Sequence, residues 1–428
     1  MKKSFARLLL EFGYSIFSFF VNKEKKKKNY SALVSILPEE VMLEIVSRLP
    51  VKYVMQLRCV NKFFNTLISD PYFIQMHLNK STQRNSQQLD LIYFRKDISH
   101  DDDDPKDWTS DLKTFSIQCS LQNKFNTIIH CSDPYYLKGK EDPHIVRWFV
   151  GSCNGLLLMK FTCPRCDHYL YFWNPAMRKQ SKKIAIFFDI YTNPNYNISF
   201  GYDNSTQTYK VVAFYVEVRP GQSNPKSVVK VFSLGDNNSW RDIQCLPVLP
   251  LIYLGTDNNK NDGVHFNGTI NWFALQDGVD IKTTILRFQQ CLILSLDLST
   301  ETYTKLSLPQ RFDKVSGYIP KLVVLMDCLC FCHDFEKTHF VIWQMKDFGV
   351  QDSWIQLFKI SHDHFYTWIN LLPLYLSENG DTLVLANVKG KEAFIYNRRD
   401  NKVEKIGIAT HRKWSQSKGY VESLVSTH

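Results

Sequence analysis

Five short aromatic and β-branched runs recur along the last two thirds of this chain, at residues 170–174 (LYFWN), 228–234 (VVKVFSL), 292–298 (LILSLDL), 340–345 (FVIWQM) and 393–397 (AFIYN). Each is followed by turn residues such as Pro175, Gly235-Asp236-Asn237-Asn238 or Ser299-Thr300-Glu301. Four lead into a further strand-like segment, at 240–243, 303–306, 354–357 and 403–406. Upstream strands fall at 155–160, 210–216, 264–275, 322–332 and 382–386. The runs return every 50–65 residues or so, and repeats near 50 residues are the mark of kelch-like propeller blades. So many short strands need their edges covered, and closure into a ring does that. The spacing predicts a β-propeller with the blade number open, and a β-sandwich as the alternative.

The start of the chain obeys a different period. Val41, Met42, Ile45, Val46 and Leu49 form one helical stripe behind Pro38, with Glu39 and Glu40 beside the positive end of the helix dipole. Pro50 stops it, residues 51–59 form a second short helix, and Phe63, Phe64, Leu67 and Ile68 mark a third before Asp70-Pro71 breaks the chain. Three helices in about 40 residues cannot bury enough apolar area alone, so such a module needs a partner surface. The expected organisation is multidomain, α plus all-β. It comprises a basic and apolar N-terminal extension (1–30), a three-helix module (36–78), a polar linker (79–111), a β-domain (112–408) and a C-terminal tail (409–428).

Charge and cysteine content exclude some functions. The formal net charge is +10, but residues 1–30 alone carry +6, so the folded part has no strong field and specific nucleic-acid binding is not expected. Eleven irregularly spaced cysteines suit free thiols in a reducing compartment better than a disulfide framework. That points to the cytoplasm, the nucleus or both. Residues 8–21 (LLLEFGYSIFSFFV) are interrupted by Glu11 and too short to span a bilayer, so they are read as an extension rather than a membrane contact.

With these elements in place, residues 36–78 resemble an F-box. The matching features are Leu37-Pro38, Ile45, Arg48-Leu49-Pro50-Val51-Lys52, Leu57-Arg58-Cys59-Val60, Leu67-Ile68 and Asp70-Pro71 with Phe73. Phe64 stands where the family usually has Trp. The remainder resembles the F-box-associated domain of plant F-box/kelch-type proteins. It shares Gly151-Ser152-Cys153-Asn154-Gly155-Leu156, Trp173-Asn174-Pro175, Phe200-Gly201-Tyr202-Asp203, Tyr209-Lys210-Val211-Val212, Ser239-Trp240-Arg241 and the 264–272 segment VHFNGTINW.

The resemblance implies a substrate receptor of an SCF-type ubiquitin ligase, a non-catalytic subunit without a cofactor. Its F-box would dock on a Skp-type adaptor, and through it a cullin, while the β-domain binds a target protein. Leu37, Pro38, Ile45, Leu49, Pro50, Leu57 and Val60 are the expected adaptor contacts. A module that only sequesters its ligand, and a propeller enzyme, are the rival readings.

The residues themselves offer little chemistry. Cys163-Pro164-Arg165-Cys166 with His168 would supply half a zinc site, but no second pair follows at ligand spacing, so no metal is expected. Cys328, Cys330 and Cys332 would share one strand face with His333 on the other. His362-Asp363-His364 is read as a polar loop, and no Gly-x-Ser-x-Gly nucleophile elbow occurs. The tryptophans Trp173, Trp240, Trp272, Trp343 and Trp354 are expected to pack between blades, and Asn154, Asn174 and Asp203 to tie turns. Substrate contacts are expected from loops, at 186–198, 218–226, 251–262 and 276–288.

Overall fold

Prolines set the joints of the helical module. The computed structural model describes residues 38–88, 90–96, 110–116, 135–136, 146–163, 166–190, 196–217, 226–235, 239–251, 263–276, 291–309, 320–365, 370–388, 392–406 and 418–427. Helix α1 spans Glu39–Val46, α2 Val51–Arg58, α3 Lys62–Ser69 and α4 Pro71–Gln88. The carbonyls of Pro38 and Pro50 accept the first helical amides, from Met42 at 3.1 Å and from Val54 at 3.2 Å. Asn61 caps α3 by accepting from the Phe64 amide at 2.9 Å.

The expected break at Asp70-Pro71 ends α3 but also begins a fourth helix. Asp70 Oδ1 accepts from the amides of Tyr72 (2.8 Å) and Phe73 (3.3 Å), and Pro71, which needs no donor there, takes the first position. Helix α4 buries Phe73, His77 and Leu78, and places His77 Nε2 2.9 Å from the Leu49 carbonyl oxygen. The expected trio is therefore a quartet around Met42, Val46, Leu49, Val54, Leu57 and Phe64.

The strands follow in order. First come β1 (Asp90–Lys96), β2 (Ser110–Ser116) and β3 (Tyr135–Tyr136). The next sheet holds β4 (Val146–Cys153), β5 (Leu156–Cys163), β6 (Cys166–Asn174) and β7 (Lys179–Gln180), with β8 (Ile184–Ala185) also beside β6. Then come β9 (Tyr196–Asp203), β10 (Thr208–Glu217), β11 (Lys226–Ser233) and β12 (Arg241–Asp242). The fourth group is β13 (Val264–Phe266), β14 (Thr269–Leu275), β15 (Cys291–Asp297) and β16 (Tyr303–Leu306). The fifth is β17 (Lys321–Leu325), β18 (Cys328–Phe335), β19 (His339–Met345) and β20 (Trp354–Ser361). Last are β21 (Leu371–Leu376), β22 (Thr382–Asn387), β23 (Ala393–Asn397), β24 (Lys402–Ile406) and the short β25 (Lys418–Tyr420).

Among the described residues these form five antiparallel sheets contiguous in sequence, plus a sixth in the order β25-β1-β2-β3. The first strands β4, β9, β13 and β17 each neighbour the next, β17 neighbours β21, and β25 neighbours β4. This is a β-propeller, not a sandwich. Its first sheet is stitched from both ends of the domain. All five recurring runs prove to be the third strand of their sheets: β6, β11, β15, β19 and β23.

Two hairpins need a left-handed backbone and recruit Asn-Gly to supply it: Asn154-Gly155 (φ 50° and 82°) and Asn267-Gly268 (φ 47° and 74°). Between sheets the core is apolar and aromatic. Trp272 stacks edge-on against Phe214, and Trp354 lies against Phe331.

Two boundaries differ from expectation. Residues 79–111, read as a polar linker, contain the end of α4 and all of β1. Residues 409–428, read as a tail, contain β25 and the buried Tyr420, Ser423, Leu424 and Thr427. A strand of three residues whose partners lie over 300 positions away leaves no local periodicity to detect. Residues 1–30, with the apolar stretch 8–21, lie outside the described residues; no helix among the described residues is long and apolar enough to cross a membrane.

Candidate functional site

The helical module keeps apolar surface uncovered. Met42, Val46 and Leu49 follow the i, i+4, i+7 stripe into the core, whereas Val41, one step of about 100° round the helix, is 42% exposed. Tyr72 on α4 is 70% exposed. Leu43, Tyr53, Met55, Val60 and Phe63 are half-buried at the rim of the core. Another part of the module's surface is already occupied by this chain itself, where Leu424 enters the helical core and Ala176 and Met177 pack against it.

The seven expected adaptor contacts separate accordingly. Leu37 lies outside the described residues, Pro38 is exposed, and Pro50 and Val60 are half-buried. Ile45, Leu49 and Leu57 are buried, with Leu49 and Leu57 in the module's own core. Val41 and Tyr72 are exposed apolar residues that the expected set left out. Val41 belonged to the apolar stripe, and only the angular step separates it from its buried neighbours. Tyr72 lay in a segment taken as the end of the module.

Polar support on the flank comes from Glu44, which accepts from Arg48 Nε at 2.9 Å and from Lys80 Nζ at 3.0 Å. Partial burial raises the Glu44 carboxyl, but the bonds to Arg48 and Lys80 outweigh it and leave the pKa lowered. The bridge ties α1 to α4.

On the propeller, strand direction alternates within each sheet. First-to-second and third-to-fourth turns therefore share one end, and second-to-third turns share the other with the crossings between sheets. The helical module sits at the first end, against the third-to-fourth turn at Ala176 and Met177. The strand ends that flank the four expected substrate intervals lie at the opposite end; residues 191–195, 218–225, 252–262 and 277–288 of those intervals lie outside the described residues. Within the first interval, Phe188 is core and the half-buried Phe187 packs against the same cluster, 5.1 Å from the Trp240 ring.

Three constellations resemble catalytic groupings. Cys153 Sγ lies 3.7 Å from His265 Nδ1, between β4 and β13. Burial pushes this thiol up to about 12 and lowers the imidazole pKa, and both shifts work against a thiolate–imidazolium pair. His265 Nε2 is 3.2 Å from the Tyr202 amide nitrogen and 3.1 Å from its carbonyl oxygen, and the ring fills the space beside Gly201. The second is His362, whose Nε2 meets Asp334 Oδ1 at 2.7 Å, while burial pushes neighbouring His333 down to about 4. The third is the cysteine row: Cys328, Cys330 and Cys332 share one apolar cluster and His333 stacks on Phe331 across the strand, as the alternation requires. Cys163 and Cys166 pair in register across a hairpin. Among the described residues no group of three His, Cys, Asp or Glu side chains is placed to hold a metal.

Comparison with known proteins fits this division. The family model for the F-box domain matches residues 34–76, and that for the F-box associated beta propeller domain matches residues 108–427. An F-box/kelch-repeat protein of Arabidopsis thaliana is 26% identical over 76% of this chain and 79% of its own length. The F-box protein CPR1 of the same plant is 24% identical over 76% of this chain and 73% of its own. Among solved structures, TolB from Acinetobacter baumannii aligns at 10% identity and a TM-score of 0.42, over 82% of this chain and 73% of that one.

Proposed function

This chain belongs to the plant F-box proteins with a C-terminal F-box-associated β-propeller domain, and from that membership we propose that it is the substrate-receptor subunit of an SCF-type ubiquitin ligase. The helical module docks on a Skp-type adaptor and through it a cullin; the propeller holds a target protein. The chain catalyses nothing itself. It speeds ubiquitin transfer by holding the target near the ligase core.

The observation that carries this reading is that the F-box match falls on a small helical module in which Val41 on α1 and Tyr72 on α4 stay exposed, while Leu424 of the same chain is packed into its core. Uncovered apolar surface on a small module marks a partner site. Target capture is assigned to the propeller end away from the helices, since that end stays clear when the adaptor is bound. Cys59, Cys153, Cys245, Cys291, Cys328, Cys330 and Cys332 are free thiols, which suits work in the cytoplasm or nucleus.

The test is co-elution of the purified full chain with a purified Skp-type adaptor. The parent should bind. Val41→Glu combined with Tyr72→Ala should weaken binding by a factor of ten or more, on the order of the effect of one interface hot spot, with the thermal unfolding of the chain unchanged. An adaptor that binds parent and variant equally, or neither, refutes the proposal.

A further inference from the structure

We propose that residues 418–427 form the joint that fixes the helical module at one attitude to the propeller, with Asn174 as its positioning residue. The segment begins as β25, paired in register with β1 (Asp90 opposite Tyr420, Ile92 opposite Lys418), and so closes the first sheet. It then leaves that sheet and crosses the turns of the β4–β7 sheet. Tyr420 is buried beside Leu157, Met159, Tyr171 and Trp173, and its hydroxyl accepts from the Ala176 amide at 3.3 Å.

Asn174 closes the seat. It is wholly buried at the end of β6, and its Nδ2 donates to the carbonyls of Ser423 (3.0 Å) and Val425 (2.9 Å). Its Oδ1 accepts from the Met177 amide at 3.1 Å, so one side chain fixes both the strap and the turn that touches the helices. On the other flank is Gly155, at φ 82°, where a Cβ would stand 2.6 Å from the Val421 carbonyl oxygen. Only a residue without a side chain admits the strap there.

The strap alternates as an extended chain does. Ser423 and Val425 are engaged with the propeller, while the residues between and before them engage the helices. Leu424 is in the helical core, and Glu422 Oε2 accepts from the Val51 amide, at the start of α2, at 3.3 Å. Contacts between domains of one chain usually permit relative motion unless they are large and apolar. Here the same ten residues complete the ring and enter the core of the helical module, so ring closure and module attitude are one event. For a receptor that works by proximity, that attitude sets the distance from captured target to ligase core.

The experiment is amide hydrogen exchange on the purified full chain, without any adaptor, so its outcome is independent of the ligase reading. Leu424→Ala should speed exchange in α2 and α3 about tenfold or more, by local opening, and leave β25, β18 and β19 at the parent rate. Leu424→Met should restore the parent pattern. Asn174→Ala should speed exchange in β25 and in α2–α3 together, although the side chain bonds only to the strap and its own turn. Parent-rate exchange in α2–α3 of folded Asn174→Ala would overturn the proposal. If that variant does not fold, Leu424→Ala decides alone, and unchanged α2–α3 exchange in it is equally fatal.

Discussion

The Lys210 ammonium stands 2.9 Å from the Asp203 carboxylate, with both side chains almost wholly withdrawn from solvent. Lys210 also reaches across the sheet boundary, to the Leu298 carbonyl and, at 3.3 Å, to Glu301, which in turn pairs with Arg241. A lysine from one sheet thus ties down the turn of the next. Burial raises the Asp203 carboxyl, but hydrogen bonds from Lys210, the Thr206 hydroxyl and the Ser205 and Thr206 amides outweigh it and hold the pKa at about 2.

This arrangement gives the chain an acid-sensitive joint. A carboxylate with a depressed folded-state pKa contributes stability that is fully present above its unfolded value near 4 and is lost as pH falls toward 2. Denaturant midpoints measured between pH 5 and pH 2.5 should fall more steeply for the parent than for Asp203→Asn. Parallel curves would rule out this linkage.

Removing the cation should cost more than removing the pair. Lys210→Met leaves Asp203 buried and uncompensated, a loss of about 3–5 kcal/mol for a broken buried ion pair. The double variant with Asp203→Asn should recover part of that loss. A double-mutant cycle by urea unfolding gives the coupling, and strict additivity would mean the two groups do not interact.

Buried and exposed residues of the helical module should behave differently. Leu57→Ala empties a filled core position and should lower stability by about 2–5 kcal/mol. Any adaptor loss in it would follow from unfolding. Val41→Glu should leave the melting curve within a degree or two and still lose the adaptor, since surface changes rarely exceed about 0.5 kcal/mol. Calorimetry beside adaptor titration separates the two cases.

Trp272 carries a polar duty inside an apolar interface. Its Nε1 donates to Asn197 Oδ1 and Ser199 Oγ, both at 3.2 Å. Trp272→Phe keeps the aromatic packing and removes this donor, while Asn197 Oδ1 still accepts from the Ser199 hydroxyl at 2.6 Å and Ser199 Oγ from the Gly263 amide at 3.2 Å, so the change should cost about 0.5–1.5 kcal/mol. Equal midpoints in guanidinium for the two proteins would show that the bonds contribute nothing net.

Thiol reactivity should follow burial. Cys59 and Cys245 are exposed, while burial pushes Cys153 and Cys332 up to about 12 and Cys291 to about 11. An alkylating reagent at pH 8 should label Cys59 and Cys245 in the native chain, and the buried Cys153, Cys291, Cys330 and Cys332 only after denaturation. Peptide mass mapping reads this directly, and native labelling of Cys153 would contradict the packing.

Much of the architecture was legible in local order. The recurring third strands announced themselves because they are rich in aromatic and β-branched residues and end in turns, as β15 does before Ser299-Thr300. The helical stripe was equally plain. What escaped was the fourth helix, because Asp70-Pro71 terminates one helix and starts another with the same two residues. Tyr72 escaped with it. Apolar periodicity marked Ile45, Leu49 and Leu57 as buried without saying what buries them.

The order of residues by itself determined two domains of different period, the up-and-down strand units and the Asn-Gly hairpins, since each depends on neighbours a few positions apart. Tertiary structure alone decided which apolar residues stay uncovered, and that residues 418–427 serve both ring and helices. Asn174 and Leu424 meet different domains through one strap, and contacts spanning about 250 positions or more leave no trace in local spacing.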